Sequence, residues 1–509
     1  MTQKQRHIAV VGGGTAGWLA ALMLRKAAPD KRAIRISVVE SPNIPTVGVG
    51  EGSTAIFRQV LLDLELDEAE FIRDTGATLK FGIKHAGWRK DGKNYWGPID
   101  DPNALRPAPP SIPSNWLHHA RLAAGKPVAD LHLFTMLMRQ GKSGLAMDKD
   151  DTVPLSPYHH AYHFDQARLG RFLSGKATDI HHILTEVDGV EIDGETGDIT
   201  GLVCVDRDAI EVDFVIDCTG FRRAIISEVG SRWRSYGDML PLNKAMPFWL
   251  DHADPARIPN FTLAQAMGSG WMWGIPVQDR MGCGYVFSDA HISAEDAQSE
   301  IEKHLGMTVD VRRIINIDPG RLEEAWIGNC CALGLAQSFL EPLEATSIHG
   351  TLVQLILLIG SGLVDPRGNL TDAARQTYNG QVARQVDDFA DFINMHYAGG
   401  RTDTGFWRDM THSGIAAQQN AKLKKWQSAP LVPQDFAPFP GRLPHVEEQL
   451  YLPVLNGLGL LPKSPSKALV RDVGIRSSAR KNADALQDEF RSAAAKAISH
   501  AVYLARTGT

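Results

Sequence analysis

The sequence Gly12-Gly13-Gly14-Thr15-Ala16-Gly17 follows an apolar run, residues 7–11, and precedes a helical pattern from Trp18 to Lys26. Gly12 suits the tight turn out of a strand, Gly14 lets the backbone approach a pyrophosphate, and Gly17 allows close helix–strand packing. The amide groups at the start of the following helix would then face that phosphate. A strand, a glycine loop and a helix in this order predict dinucleotide binding, and a purely structural turn is the alternative.

A second β-rich run, residues 34–39, completes the β-α-β unit and ends at Glu40, 23 residues after Gly17. An acidic side chain at this spacing takes the ribose hydroxyls of a dinucleotide. A second glycine-rich loop, residues 46–54, and the strand end Asp217-Cys218-Thr219-Gly220 favour FAD over NAD, with Asp217 suited to a ribityl or phosphate contact. The chain has no second glycine fingerprint of the kind that binds NAD(P)H, which indicates a flavin that is reduced elsewhere.

Composition sets the broad class of the protein. The 509 residues are 43% hydrophobic and 22% charged, which predicts a globular chain with more than one domain or subdomain. A net charge of -6 without a long basic run argues against a nucleic-acid partner. Five cysteines without C-x-x-C spacing suggest neither a disulfide framework nor a zinc site, and no metal ligands are predicted; a reducing cytoplasm fits best. The most apolar stretch, residues 351–364, is too short to span a membrane and is expected to be a core helix.

The pattern along the chain predicts a glutathione-reductase-like α/β FAD-binding fold with a mostly helical substrate-capping region. Alternating apolar residues predict strands over residues 183–192, 199–205 and 209–216, and the charged, alanine-rich residues 477–506 predict one or two solvated helices. The expected divisions are a first part of the FAD core over 1–94, a proline-rich insertion of loops and short helices that contributes to the substrate region over 95–157, a second part of the core over 158–395, and a helical cap over 396–509.

Four segments together resemble the flavin-dependent halogenases of the tryptophan halogenase family. They are the glycine loop, the sequence Ala-Thr-Leu-Lys-Phe-Gly-Ile-Lys at 77–84 followed by Trp88, the sequence Trp-Met-Trp-Gly-Ile-Pro at 271–276, and the sequence Ser-Phe-Leu-Glu-Pro-Leu-Glu-Ala-Thr-Ser-Ile at 338–348. The resemblance implies a two-component enzyme that uses FADH2 from a separate flavin reductase, O2 and a bromide or chloride ion. Its product would be a halogenated small aromatic molecule.

The resemblance also implies roles for individual residues. Lys80 would hold the electrophilic halogen, either as a haloamine or by a hydrogen bond to hypohalous acid, and Glu344 would act on the aromatic ring as a charge stabiliser and proton acceptor. The halide would lie near the backbone N–H groups of Thr346 and Ser347, as anions do at amide dipoles. Further implied positions are FAD contacts at Gly12, Gly14, Thr15, Ala16, Gly17, Glu40, Val49, Gly50, Val187 and Leu335, and channel residues Trp271, Trp273, Ile275 and Pro276.

Spacing alone leaves alternatives open. Lys84 competes with Lys80, and Glu341 competes with Glu344; only the register of the family motif favours the second of each pair. A flavin monooxygenase, a non-catalytic flavoprotein and a self-sufficient NADPH oxidase are the rival functions. The Trp-x-Trp segment and Lys80 argue against the monooxygenase, and the missing second nucleotide loop argues against the oxidase.

Two departures from the family pattern bear on the substrate. The family commonly has Glu-Ser-Thr-Gly where this chain has Glu344-Ala345-Thr346-Ser347, which affects the surroundings of the halide. Members that take free tryptophan clamp the indole with several aromatic side chains before a Gly-Leu-Gly, and in the matching stretch, residues 445–452, only Tyr451 remains. Each lost aromatic pair removes about 0.5–1.5 kcal/mol of binding. Indole, a substituted indole or a larger indole or phenol product is therefore expected rather than free tryptophan.

Overall fold

A computed structural model describes residues 5–44, 50–148, 151–365 and 370–507. Its strands are β1 Arg6–Val11, β2 Ile34–Glu40, β3 Gly50–Gly52, β4 Thr78–Lys80, β5 Gly82–Ala86, β6 Tyr95–Pro98, β7 Lys142–Asp148, β8 Asp151–Pro154, β9 Ala161–Asp165, β10 His181–Leu184, β11 Val187–Ile192, β12 Ile199–Cys204, β13 Ile210–Glu211, β14 Phe214–Asp217, β15 Trp233–Ser235, β16 Lys244–Leu250, β17 Thr262–Ala266, β18 Gly270–Pro276, β19 Met281–Phe287, β20 Ile315–Asn316, β21 Gly320–Leu322, β22 Trp326–Ile327, β23 Cys330–Ala332, β24 Ser338–Phe339 and β25 Ala497–Ser499. Its α-helices are α1 Thr15–Ala27, α2 Ala55–Asp63, α3 Glu68–Thr75, α4 Trp116–Ala124, α5 Leu133–Gln140, α6 Gln166–Gly175, α7 Ala294–Leu305, α8 Thr346–Gly360, α9 Asp372–His396, α10 Gly405–Asp409, α11 Ala417–Ser428, α12 Glu448–Leu458, α13 Lys463–Asp472, α14 Arg476–Lys496 and α15 His500–Thr507.

A six-stranded sheet in the order β10-β2-β1-β14-β23-β22 carries the predicted dinucleotide unit. The strand β1 pairs in parallel with β2 and with β14, so the loop from Gly12 begins at the carboxyl edge of the sheet. The helix α1 packs back on this sheet through the buried side chains of Trp18, Leu19 and Leu24. A Cβ on Gly17 would collide with the carbonyl oxygen of Gly12, which explains the glycine at this close helix–strand approach.

A seven-stranded, mostly antiparallel sheet in the order β20-β16-β19-β18-β17-β5-β6 forms the second layer. The Trp-Met-Trp-Gly-Ile-Pro sequence is the whole of β18 after Gly270 and is buried along its length between β17 and β19. A small sheet, β3-β9-β4, lies beside it, and the chain passes from β4 to β5 across a single residue, Phe81. Lys80 therefore ends one sheet immediately before the next sheet begins.

Two of the predicted strands are each divided in two. Residues 183–192 form the end of β10 in the six-stranded sheet and then β11 in a separate three-stranded sheet, and residues 209–216 form β13 and then most of β14 in the same two sheets. The single-strand predictions were wrong because the chain crosses between sheets at Thr185-Glu186 and at Val212-Asp213. Alternation of apolar residues continues through both crossings, so periodicity alone does not reveal them.

The C-terminal segment differs from the solvated helices that its composition predicts. The helix α14 buries Ala479, Ala483, Leu486, Phe490 and Ala494, which recur every three or four residues and face the core. The strand β25 then pairs with β7 of the insertion, so the chain end is held in a sheet. The insertion itself contains the β7–β8 hairpin in addition to the expected short helices. The apolar stretch from Thr351 lies in α8, which is buried as expected.

Within the described ranges, none of the helices is both long enough and apolar enough to cross a bilayer.

Replacing Gly17 by Ala is expected to lower the free energy of unfolding by about 1–3 kcal/mol, because a methyl group must displace the Gly12 backbone. Gly170 in α6 is the matched control, since a Cβ there meets no atom within 4 Å. Its replacement by Ala is expected to stabilise the protein by about 0.5–1 kcal/mol through helix propensity. Urea denaturation of the two variants measures both effects, and equal stability of the two would contradict the packing role of Gly17.

Candidate functional site

A cleft of about 350 Å³ opens at the carboxyl edge of the six-stranded sheet. Its lining includes most of the predicted FAD contacts: Gly12, Gly14, Thr15, Ala16, Glu40, Val187 and Leu335. A Cβ on Gly14 would meet no atom within 4 Å, whereas one on Gly13 would collide with the Glu40 carboxylate. Open space at the helix N-terminus, with a carboxylate held beside the loop, fits the pyrophosphate and ribose of a dinucleotide. Gly17 packs beneath the loop, and Val49 lies outside the described residues.

Asp217 does not reach this cleft, contrary to the ribityl or phosphate contact predicted for it. The side chain is buried, and its carboxylate accepts hydrogen bonds from the backbone N–H groups of Thr219, Ile225 and Ile226 at 2.8, 3.0 and 2.9 Å. Asp217 thereby fixes the turn after β14, and the residues of that turn, Cys218, Thr219 and Gly220, line the cleft in its place. Its role is structural.

A second cavity, of about 140 Å³, continues from the first toward Lys80. Both share the lining residues Glu51, Gln166, Phe221, Leu335 and Ser347, so the two form one path from the glycine loop to the lysine. Gly50, Trp273 and Ile275 line the far part of this path. The path leads from the glycine loop toward Lys80, as the ring system of a bound flavin would have to.

Lys80 is buried at the end of that path, with only 2% of its surface exposed. The Nζ atom donates a hydrogen bond to the carbonyl oxygen of Ser53 at 2.9 Å. Burial lowers the pKa of the Lys80 ammonium to about 8, although the carboxylates of Glu344 and Glu51 act in the opposite direction. Burial also raises the pKa of Glu51 to about 7, against the hydrogen bond from Gln166 and the charge of Lys80. Lys84 is half-buried and lies over the ring of Trp96.

Glu344 ends a short helical turn, Pro342–Glu344, and lies between two buried imidazoles. The Nε2 atom of His396 is 2.9 Å from its Oε1 atom, and the Nε2 atom of His85 is 3.6 Å from the same oxygen. Burial alone would raise the pKa of Glu344, but the adjoining His396 and His85 outweigh that effect and lower the pKa to about 2. The carboxylate is therefore ionised at neutral pH.

Glu341, the competitor of Glu344, is committed to the core. Its Oε2 atom accepts hydrogen bonds from the indole Nε1 of Trp271 at 3.1 Å and from the hydroxyl of Tyr397. Trp271 is fully buried and does not line the path, and neither does Pro276, whose carbonyl accepts a hydrogen bond from Thr78. Of the four predicted channel residues, Trp273 and Ile275 line the cavity, while Trp271 and Pro276 support the strand behind it.

Thr346 and Ser347 form the first turn of α8, and both line the cavity that contains Lys80. Ala345 precedes them with φ 54°, a left-handed conformation that a non-glycine residue seldom adopts. Ala345, Thr346 and Ser347 line the cavity of Lys80, whereas the Glu344 carboxylate meets the imidazoles of His396 and His85. Free N–H groups at the start of a 15-residue helix suit a small anion.

Tyr451, the predicted substrate contact, is packed inside the cap. Only 2% of its surface is exposed, and its ring lies against Phe392, Phe436 and Trp426 with centroid distances of 4.7, 5.1 and 5.9 Å. It does not line the path to Lys80.

Sequence reasoning missed His85, Glu51 and the structural role of His396. His396 precedes Tyr397 at the end of a helical stretch, but nothing local in the sequence indicates that it meets Glu344. The three lie on β5, β3 and the end of α9, so only the tertiary fold brings them to the site.

Comparison with known proteins agrees with this geometry. The tryptophan halogenase family model matches residues 7–472. The chain is 30% identical to the tryptophan 6-halogenase SttH of Streptomyces toxytricini, with 96% of each chain covered, and 31% identical to the 7-chloro-L-tryptophan 6-halogenase KtzR of Kutzneria sp. (strain 744), with 98% of each covered. Among solved structures it is similar to Xcc4156, a flavin-dependent halogenase from Xanthomonas campestris, with a TM-score of 0.85, 29% identity and coverage of 99% and 98% of the two chains.

Flavin-dependent halogenases use FADH2, a halide ion and oxygen, and they need a separate flavin reductase and an aromatic substrate. The dinucleotide cleft, its extension to a buried lysine and the match along nearly the whole chain lead to one assignment. The chain belongs to the tryptophan halogenase family and is an FADH2-dependent halogenase.

Proposed function

We propose that this halogenase acts on indole or a related electron-rich aromatic ring rather than on free tryptophan, with Lys80 and Glu344 as its catalytic residues. The observation that carries the proposal is the buried Lys80 ammonium at the far end of the path that begins at the glycine loop. Lys84 is outside that path, and Glu341 is bonded to Trp271 and Tyr397. These contacts favour Lys80 over Lys84 and Glu344 over Glu341 as the catalytic residues.

When bound, reduced FAD and oxygen supply the oxidation of the halide to hypohalous acid. The halide is held by the backbone N–H groups of Thr346 and Ser347 at the start of α8, where the helix dipole and the nearby Lys80 charge favour an anion. Trp273 and Ile275 close the apolar side of the cavity and keep bulk water from the electrophile. The identity of the halide, bromide or chloride, depends on this small pocket.

Lys80 places the electrophile. Its hydrogen bond to Ser53 fixes Nζ, and a pKa of about 8 leaves both the ammonium and some free amine present near neutral pH. The ammonium can donate a hydrogen bond to hypohalous acid, and the amine can form a haloamine. Either species transfers the halogen as a cation equivalent to a ring carbon: the carbon–halogen bond forms as the bond from halogen to oxygen or nitrogen breaks.

Glu344 acts on the ring after this attack. Its low pKa keeps a full negative charge in a buried position, which stabilises the cationic ring intermediate electrostatically. The ring proton then leaves to the Glu344 carboxylate, and the aromatic product, water and the regenerated side chains complete the balance. Such acid–base participation contributes about 10²–10⁴-fold to the rate.

The preference for indole follows from the cap. The matching stretch of the aromatic clamp keeps Tyr451 alone, and its ring is already packed against Phe392, Phe436 and Trp426. A tryptophan indole would find no free aromatic face there. The curated relatives act on tryptophan by name, whereas this chain is proposed to accept a ring without the amino-acid backbone.

Incubation of an equimolar mixture of indole and tryptophan with the protein, a flavin reductase, FAD, NADH and either bromide or chloride is expected to yield monohalogenated indole by mass spectrometry, in excess over halogenated tryptophan. Lys80→Ala should lower product formation by at least about 10²-fold, because the electrophile is no longer held. Lys84→Ala is the control and should retain product formation. The two halides are compared in parallel to give the preference.

Hydroxylated indole that forms without halide would contradict the proposal in favour of a monooxygenase. Equal losses in the Lys80 and Lys84 variants would contradict the assignment of Lys80. An excess of halogenated tryptophan over halogenated indole would contradict the proposed substrate, but it would not contradict the proposed roles of Lys80 and Glu344.

Lys80→Met is expected to be inactive yet more stable than the parent protein at pH 7. Lys80 has a pKa of about 8 in the folded parent protein and about 10.5 in the unfolded chain. Between these two pH values the unfolded chain binds a proton at Lys80 and the folded protein does not. The free energy of unfolding of the parent therefore increases as the pH rises through this range. The stability advantage of Lys80→Met should therefore shrink by about 2 kcal/mol between pH 7 and 9.5. Denaturant titrations at the two pH values measure this difference. If the stability difference between Lys80→Met and the parent does not change with pH, the lowered pKa of the buried Lys80 is contradicted.

A further inference from the structure

Two buried imidazoles converge on the carboxylate of Glu344 in a manner that the halogenation chemistry does not require. The Nε2 atoms of His396 and His85 lie 2.9 and 3.6 Å from its Oε1 atom, and all three potential ligand atoms lie within 4.8 Å of one another. Both imidazoles are 0% exposed. No local motif predicts a metal site here, because the ligands come from three distant elements.

The orientation of His396 decides what it presents to Glu344. Its Nδ1 atom is 2.9 Å from the carbonyl oxygen of Phe392, and a carbonyl only accepts, so Nδ1 carries the hydrogen. The backbone therefore fixes the ring so that Nε2 is the nitrogen that faces the Glu344 carboxylate. An imidazole whose other nitrogen donates to a backbone carbonyl is the usual arrangement of a metal-binding histidine.

His85 is fully buried, and among the residues that the structure describes it has no hydrogen-bond partner. Its ring stacks on Tyr95 with centroids 4.4 Å apart and planes inclined by 5°. Neither ring nitrogen of His85, nor Nε2 of His396, nor Oε1 of Glu344 meets hydrogen-bond geometry with any residue that the structure describes. A buried polar atom without a hydrogen-bond partner destabilises the folded protein.

A divalent ion would bind the Nε2 atoms of both imidazoles and Oε1 of Glu344 together, whereas one proton can join only one pair of these three atoms. Zinc bound by histidine nitrogen and glutamate oxygen has bonds of about 2.0–2.2 Å, which places tetrahedral ligand atoms roughly 3.4 Å apart. The two measured spacings, 2.9 and 3.6 Å, lie on either side of that value. Two imidazoles and one carboxylate leave a fourth position open, as in His₂Glu zinc sites.

We propose that His85, Glu344 and His396 form a binding site for a zinc-class divalent transition-metal ion, and that occupation of this site switches halogenation off. The ion takes the Glu344 carboxylate out of reach of the aromatic ring. The inhibitory part rests on the proposed function of Glu344, whereas the binding part rests on the three ligands alone.

Titration of the metal-free protein with Co²⁺, an optical reporter for tetrahedral zinc sites, is expected to give one equivalent bound with a visible absorption band, displaced by Zn²⁺. His85→Phe keeps a ring against Tyr95 but removes both nitrogens, and it should weaken Co²⁺ binding by at least about 100-fold. Tyr95→Phe, which alters the other member of the stacked pair, should retain the bound equivalent. Thermal denaturation checks that both variants are folded.

Absence of a bound equivalent, or binding that survives in His85→Phe, would overturn the metal site. In the indole assay with reductase and bromide, one equivalent of Zn²⁺ should reduce product at least about 10-fold, with recovery on addition of a chelator. Spectroscopic binding without inhibition would keep the site and contradict the role given to Glu344, so the two claims fail separately.

Discussion

The burial of one ammonium group, that of Lys80, is the constraint on which the rest of the site depends. A charged lysine in an apolar interior is costly, and here it is tolerated because a carbonyl and two carboxylates lie around it. The chain places it at the junction of two sheets, where β4 ends and β5 begins after one residue. The same junction brings the end of β3 against the lysine, since a Cβ on Gly52 would be 3.1 Å from Nζ. The dinucleotide cleft and Lys80 are thereby fixed relative to one another.

Much of the fold could be predicted because its signals are local. The glycine loop, the strand before it and the helix after it are contiguous, and their geometry follows from the absence of side chains at Gly12 and Gly17. The two split strands could not be predicted, because the alternation of apolar residues continues while the chain changes sheets. The pairing partner, which periodicity does not specify, determines where each strand ends.

The site shows the same division. The motif register selects Lys80 and Glu344 over their neighbours, and the structure places the neighbours in other contacts. Residue type alone did not predict the contacts of Asp217 and Trp271. Asp217 accepts hydrogen bonds from backbone amides, and Trp271 donates a hydrogen bond to Glu341 behind the cavity wall. A residue type indicates what a side chain can do, but its direction depends on neighbours far away in sequence. His85 is the clearest case, because its partners lie on β6, α9 and the loop before α8.

Ala345, in a left-handed backbone conformation, separates Glu344 from the first residues of α8. Glu344 on one side meets the imidazoles, and the α8 amides on the other side face the cavity of Lys80. One pair of backbone torsions therefore sets the positions of both the Glu344 carboxylate and the first amides of α8. For the halide site proposed at Thr346 and Ser347, substitutions that shift the Ala345 backbone are expected to move Glu344 as well, so halide choice and ring position should change together in laboratory evolution. To change halide choice without changing ring position, substitutions would have to be made in side chains that contact residues 344–347 rather than in residues 344–347 themselves.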